Sequence, residues 1–142
     1  MPFNKTFNPS LEAIKAACQK PLHPEAEEGI RLFNEGKYFV AHEALENAWH
    51  AEPNPDRRLY QGILQAGIAY MHARNGYAKG VFSMYERCQL WLSPWPDQCR
   101  SIDVGQLKTD LQALVDQVNF LGQDRLSELN PALFTKIKRV YK

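Results

Sequence analysis

The sequence predicts an all-α fold, a single-domain bundle of about five helices. Apolar residues recur at the spacing of helical turns in five successive segments, and Pro, Gly and Asn residues separate those segments. No run shows the alternation of β-branched and polar residues that a half-buried strand requires. The 142 residues, of which 44% are hydrophobic, are enough to bury one sizeable core. These observations favour a closed helical bundle.

Most of the five helices have a recognisable start or stop signal. Pro24 suits the first turn of the first helix, and Asp56 and Asp103 are suited to cap the third and the fifth. Gly36 and Gly76 tolerate the positive φ angles that tight turns after the first and third helices require. We therefore expect helices over residues 24–33, 37–51, 56–74, 77–92 and 103–121.

The third helix is expected to be the most buried. No Asp, Glu, Lys or Arg occurs between Leu59 and Ala73. Within it, Gly62, Ala66 and Ala69 belong to a strip of small residues that allows a neighbouring helix to approach closely. This segment is too short and too polar to span a bilayer.

The chain divides into three expected parts: an extension over residues 1–23, a helical domain over 24–122 and a tail over 123–142. Ser10 is suited to cap a short helix inside the extension. A weak repeat relates Asn34 to Asn75, 41 positions apart, since each closes a helix before a glycine-containing turn. This repeat indicates two tandem helical hairpins, similar in outline to tetratricopeptide repeats but too few for a solenoid.

Composition disfavours several kinds of partner. The 17 basic and 16 acidic residues give a net charge of +1, so no strong field attracts nucleic acid or an anionic membrane. The apolar stripe of the fifth helix and exposed aromatic residues allow a homodimer. The sequence does not identify a protein partner.

Cysteine usage and the amino terminus predict a cytoplasmic location. Cys18, Cys88 and Cys99 are odd in number and lack CxxC spacing, which argues against a disulfide framework or zinc knuckle and favours a reducing compartment. The first residues lack an apolar signal core. Cys88 lies on an apolar helical face and is expected to be inert, whereas Cys99, beside Arg100, is a candidate for higher reactivity.

The densest cluster of reactive side chains lies in the second helix. On a helical wheel His42 falls within the apolar stripe, Glu46 at its border and Glu43 towards solvent. On the third helix four polar residues fall within about 60° of one another. If the two helices are antiparallel neighbours, one polar face meets the other. The candidate site residues are His42, Glu43, Glu46, Arg58, Gln61, Gln65 and His72.

These motifs resemble the signature of the domain of unknown function 309 family. The first motif runs Phe33-Asn34-x-Gly36-x-Tyr38-Phe39-x-Ala41-His42-Glu43-x-Leu45-Glu46-x-x-Trp49. The second runs Arg58-x-x-Gln61-Gly62-x-x-Gln65, followed by His72, Asn75 and Gly80. The resemblance covers about residues 25–93 and implies a small, all-helical, mainly bacterial and archaeal protein. It assigns the motif residues no proven activity.

Three interpretations of the polar cluster remain open. The preferred one is an interaction or scaffold protein whose polar residues form an internal network, with Glu46 paired to Arg58 and His42 bonded to Gln61 or a backbone carbonyl. The second is a small-molecule or catalytic, hydrolase-like site with Glu46 as general base and with Gln61 and His72 orienting a ligand.

The third interpretation is a divalent metal site. His42 and Glu46, one turn apart, supply two ligands and His72 a third, a mixed set that suits iron, manganese or zinc. A zinc-protease motif is excluded because Glu46 stands where the second histidine would be. No cofactor is required by the sequence.

Overall fold

The computed structural model describes residues 6–141, so residues 1–5 of the expected extension and Lys142 of the basic tail lie outside it. The predicted helical class is confirmed, but the count of about five helices was too low. Two short 3-10 helices, Gln123–Glu128 and Pro131–Leu133, follow the last α-helix. The described residues form six α-helices: α1 Leu11–Cys18, α2 Pro24–Asn34, α3 Tyr38–Ala51, α4 Arg57–Arg74, α5 Ala78–Leu92 and α6 Val104–Leu121.

A small β-hairpin, absent from the sequence prediction, lies between α5 and α6. Strands β1 (Gln98–Cys99) and β2 (Ile102–Asp103) pair antiparallel, and Ile102 also forms a bridge with Arg139. Two-residue strands are too short to show alternation, so periodicity could not reveal them. The turn residues, Arg100 and Ser101, adopt positive φ angles of 51° and 66°. Neither is Gly or Asn, the residues that usually mark such a turn, so the sequence contains no turn signal here.

The two predicted hairpins are present as α2–α3 and α4–α5, and their turns have the same construction. Gly36 and Gly76 have φ angles of 77° and 75°, and each donates its N–H to the carbonyl three residues earlier. The equivalent positions are therefore 40 residues apart, so Asn34, the last residue of α2, is not the counterpart of Asn75, which follows the last residue of α4. Asn34 has a different role, since its side chain hydrogen-bonds both backbone groups of Ile137.

The core is centred on α4, as predicted. Tyr60, Ile63 and Tyr70 are fully buried there. The ring of Tyr70 packs against Phe33 and Tyr38 from the α2–α3 hairpin, with centroid distances of 5.1 and 5.7 Å. These aromatic contacts fix α4 against both helices of the first hairpin.

The extension is tied to the rest of the chain by a Cys18–Cys99 disulfide. The prediction that the cysteines form no disulfide was therefore wrong, and so was the expectation of a reactive Cys99 thiol. Pairing depends on spatial proximity, and the two residues are 81 positions apart in sequence. Cys88 is buried and free, as predicted, and burial raises the pKa of its thiol to about 12.

Asp56 does not cap α4 with its side chain, contrary to the prediction. Its carboxylate instead accepts hydrogen bonds from Lys20 Nζ at 2.7 Å and from Arg100 Nη2 at 2.6 Å. The buried Arg100 guanidinium also donates to Glu52 and to the hydroxyl of Tyr60. We call these five side chains the Arg100 cluster. A buried charge needs opposite charges and hydrogen-bond acceptors, and Asp56 supplies both in place of a cap.

The tail packs on the helices. Thr135 hydrogen-bonds the hydroxyl of Tyr70 at 2.9 Å, and Arg139 forms an ion pair with Glu27 at 2.6 Å. Within residues 6–141, every helix is too short or too polar to cross a membrane.

Candidate functional site

The polar residues of α3 interact along their own helix. His42 Nε2 lies 3.5 Å from one carboxylate oxygen of Glu46, and His50 Nε2 lies 3.8 Å from the other. The His42 side chain is 30% exposed and that of Glu46 42% exposed. Glu43 is exposed, in agreement with its predicted orientation. The α3 part of the site therefore consists of a half-buried histidine–carboxylate pair.

The polar residues of α4 form one half-buried face. Arg58, Gln61, Gln65 and His72 have intermediate burial, while most of the residues between them are buried. Their spacing of three, four and seven positions places them along one side of the helix. These four residues belong to a helix that is otherwise largely buried, so the backbone that carries them is held rigidly. We define the α3–α4 polar stripe as His42, Glu46, Arg58, Gln61, Gln65 and His72.

Two contacts set the antiparallel register of α3 against α4. The Tyr38 and Tyr70 rings are 5.7 Å apart at one end, and Arg57 Nε donates to the Trp49 carbonyl at 3.4 Å at the other. This register places His42 level with Gln65. One turn further along α3, Glu46 lies level with Gln61.

His72 lies elsewhere along the stripe. It is seven residues beyond Gln65, or about 10 Å along the helix. Its ring packs edge-on against Tyr77 at 5.3 Å. A Cβ placed at Gly80 would lie 2.6 Å from the His72 ring, so the glycine makes room for the imidazole. His72 is thus bound into the α4–α5 hairpin and does not complete a site with His42.

The predicted three-ligand metal site is not formed. Among residues 6–141, no three His, Cys, Asp or Glu side chains are grouped so that they could hold a metal ion. His72 is the predicted ligand that lies out of reach, whereas His42 and Glu46 do lie one turn apart as predicted. A helical wheel gives the phase of a residue around its helix but not its height along a neighbouring helix, and this height separates His72 from the pair.

The predicted internal network is not formed either. Arg58 does not pair with Glu46; it donates to Asn54 Oδ1 at 3.2 Å and to Gln61 Oε1. No hydrogen bond or ion pair in the described part of the chain joins His42 or Glu46 to the polar residues of α4. His42 Nδ1 and Gln65 Oε1 are instead buried without a hydrogen-bond partner. Buried polar atoms without partners are rare and require a reason.

Two exposed aromatic side chains near the stripe were not singled out as site residues by the sequence. Phe39 is 60% exposed and its ring stacks on His42 with a centroid distance of 6.3 Å. Tyr77, which packs against His72, is 49% exposed. The exposure of Phe39 could have been predicted, because this residue lies in the first motif and faces away from the apolar stripe of α3.

Fold and site together define a domain of two helical hairpins with a half-buried polar stripe where α3 packs against α4. Residues 26–84 match the family described as Domain of unknown function (DUF309), so the predicted resemblance is confirmed over that segment. All seven candidate residues lie within it. The chain is also similar to an uncharacterized protein of Aquifex aeolicus (strain VF5), with 26% identity over 84 residues. That alignment covers 58% of this chain and only a quarter of the relative's length.

Proposed function

We propose that this protein is an interaction domain that binds a polypeptide segment along the α3–α4 polar stripe. The observation that carries the proposal is the pair of unpartnered buried atoms, His42 Nδ1 and Gln65 Oε1, at the same level of the two helices. Imidazole and amide groups recognise the backbone N–H and C=O groups of a peptide. Both atoms are enclosed in the free protein, so a bound segment would supply these partners after the two side chains rotate towards it.

The dimensions of the stripe favour an extended segment. From Arg58 to His72 the stripe rises over 14 residues of α4, or about 21 Å. About six residues of extended polypeptide cover that length. The exposed rings of Phe39 and Tyr77 at the His72 end provide aromatic contact area of the kind that contributes strongly to protein interfaces.

Binding is favoured over catalysis by the surroundings of His42. Among residues 6–141 no hydroxyl or thiol group hydrogen-bonds to its imidazole, whereas nucleophilic catalysis requires a nucleophile within reach of the base. The His42–Glu46 pair is therefore better suited to recognising a ligand than to activating a side chain of this protein.

Selection from a displayed peptide library against the wild-type chain tests the proposal. Selected peptides are then titrated against Glu46→Gln, Gln65→Leu and a matched control, Glu43→Gln, which makes the same change three positions away on an exposed residue. We expect the first two variants to weaken binding by about tenfold or more, as for loss of a hydrogen bond to a charged or buried group, and the control to leave it unchanged. Selected peptides that bind Gln65→Leu as tightly as wild type would refute the proposal, and so would a library that yields no binder.

A cytoplasmic location is a further part of this proposal. The Cys18–Cys99 disulfide removes the argument from cysteine usage, so an oxidising compartment is the alternative that the test must separate. Fractionation of cells that express the tagged full chain tests it. Recovery of the protein outside the cytoplasmic fraction would contradict it.

A further inference from the structure

A second site lies at the start of α4, where Arg58 borders an open cleft of about 580 Å³. The N-terminal segment, α4 and α5 all contribute to the cleft. Its apolar lining includes Phe7, Pro9, Pro55 and Trp91. Phe7 and Trp91 pack together with ring centroids 5.5 Å apart, so the aromatic wall is formed by residues distant in sequence.

Arg58 is a positive group that pairs with no carboxylate among residues 6–141. Its guanidinium lies 4.4 Å from the centroid of the Trp91 ring, and its Nε and Nη1 groups donate to the amide oxygens of Asn54 and Gln61. Burial, with a contribution from neighbouring Arg57, lowers the pKa of Arg58. In contrast, Arg31, Arg100, Arg125 and Arg139 each form an ion pair with an acidic side chain.

Two hydrogen-bond donors of the residues that line this cleft lack acceptors among the described residues. One is the Nη2 group of Arg58, which remains after Asn54 and Gln61 have been bonded. The other is Trp91 Nε1, which is enclosed in a residue that is only 4% exposed, so the Nη2 group of Arg58 is the donor that a ligand in the cleft can reach. Asn54 and Gln61 fix the plane of the guanidinium by accepting from its other nitrogens, so its free edge is held in place.

We propose that this cleft binds a carboxylate carried next to an apolar group, with Arg58 as the charged donor. The carboxylate supplies the acceptors and the opposite charge that a partly desolvated guanidinium requires. The apolar part of the ligand packs against the wall formed by Phe7 and Trp91. This site shares Arg58 with one end of the α3–α4 polar stripe but does not involve His42 or Gln65, and it does not depend on the proposed binding of a polypeptide along the rest of the stripe.

The carboxylate belongs either to a small organic acid or to the C-terminus of a polypeptide, and two probes distinguish these sources. The first is phenylacetate, with phenylacetamide as its uncharged match. The second is a short acetylated peptide that ends in phenylalanine, as free acid and as amide. Binding is followed through the indole N–H resonance of Trp91, with that of Trp49, which does not line the cleft, as an internal reference.

We expect both acids to shift the Trp91 resonance, with a Kd for phenylacetate in about the millimolar range or tighter, and the amides to leave it unchanged. Arg58→Gln should weaken acid binding by about tenfold or more. Arg57→Gln should leave acid binding unchanged, because the native Arg57 side chain bonds the Trp49 carbonyl and does not line the cleft. Tighter binding of the peptide acid assigns the site to a polypeptide terminus, and tighter binding of phenylacetate assigns it to a small acid.

Circular dichroism of both variants controls for folding, and Arg58→Lys, which keeps the charge, should retain part of the affinity. Equal binding of acids and amides would overturn the proposal. So would acid binding that is unchanged in a folded Arg58→Gln variant, or the absence of any response to either acid.

Discussion

Replacing Arg100 with methionine should cause one of the largest losses of stability available in this chain. The Arg100 side chain is 1% exposed, and its guanidinium joins α1, the end of α3 and the start of α4 through hydrogen bonds to Ala17, Glu52, Asp56 and Tyr60. Methionine fills much of the same volume but donates no hydrogen bond. The substitution would leave the carboxylate of Asp56, itself 5% exposed, without its buried partner.

Removing one partner of a buried ion pair costs about 3–5 kcal/mol. Lys20, which also binds Asp56, reduces the loss but does not cancel it, because its side chain is 51% exposed. We therefore expect the free energy of unfolding of Arg100→Met to fall by about 3 kcal/mol or more, a large fraction of the roughly 5–15 kcal/mol of a typical domain. Urea unfolding followed by tryptophan fluorescence measures the change, with both proteins kept oxidised.

Arg125→Met is the matched control. Arg125 forms an ion pair with Glu128 in which both side chains are 54% exposed, and exposed pairs contribute little to stability. If Arg100→Met were no more destabilising than Arg125→Met, the Arg100 cluster would not hold the extension and α4 together as the contacts imply.

Three further predictions concern the cysteines and the helix packing. Reducing the Cys18–Cys99 disulfide should lower the free energy of unfolding by up to about 4 kcal/mol, since the bond joins residues 81 positions apart. Urea unfolding midpoints with and without reductant measure this loss, and an unchanged midpoint refutes the prediction. Burial raises the pKa of the Cys88 thiol from 9.0 to about 12, so the unfolded chain loses that proton at a lower pH than the folded chain. The free energy of unfolding should therefore fall by up to about 1.4 kcal/mol per pH unit above about pH 9. Urea titrations of Cys88→Ala between about pH 9 and 10 should show a smaller fall, and an equal fall counts against a buried thiol. Gly62→Ala would place a methyl group 2.5 Å from Leu92 Cδ2, so we expect a loss of about 1–3 kcal/mol, measured by thermal unfolding, and a neutral result would contradict the close α4–α5 contact.

The helices could be predicted because their signals are local. Ser10 accepts from Ala13 N–H and Asp103 from Gln106 N–H, as expected of residues that cap the helices following them. The positive φ of Gly36 and Gly76 likewise depends on the turn residue itself. The burial of α4 followed from the absence of Asp, Glu, Lys and Arg between Leu59 and Ala73.

The long-range contacts could not be predicted from the sequence. Cys18 meets Cys99, and Asp56 meets Arg100, across more than 40 positions of chain, so no spacing rule connects them. Asp56 also carried a competing local signal, that of a helix cap, which the tertiary ion pair overrode.

The candidate site was predicted in part. The wheel correctly separated exposed Glu43 from half-buried His42 and Glu46. It could not show that Arg58 packs on Trp91, because that contact depends on the register between α4 and α5.

The central claim is that the residues of the α3–α4 polar stripe are available to a ligand because they do not bond one another across the two helices. A double-mutant cycle on the free energy of unfolding tests it most directly, with Glu46→Gln, Arg58→Met and the double variant. If the stripe is open, the two losses should add, with a coupling energy below about 0.5 kcal/mol. A coupling of about 1 kcal/mol or more would show that Glu46 and Arg58 interact in solution and would contradict the claim.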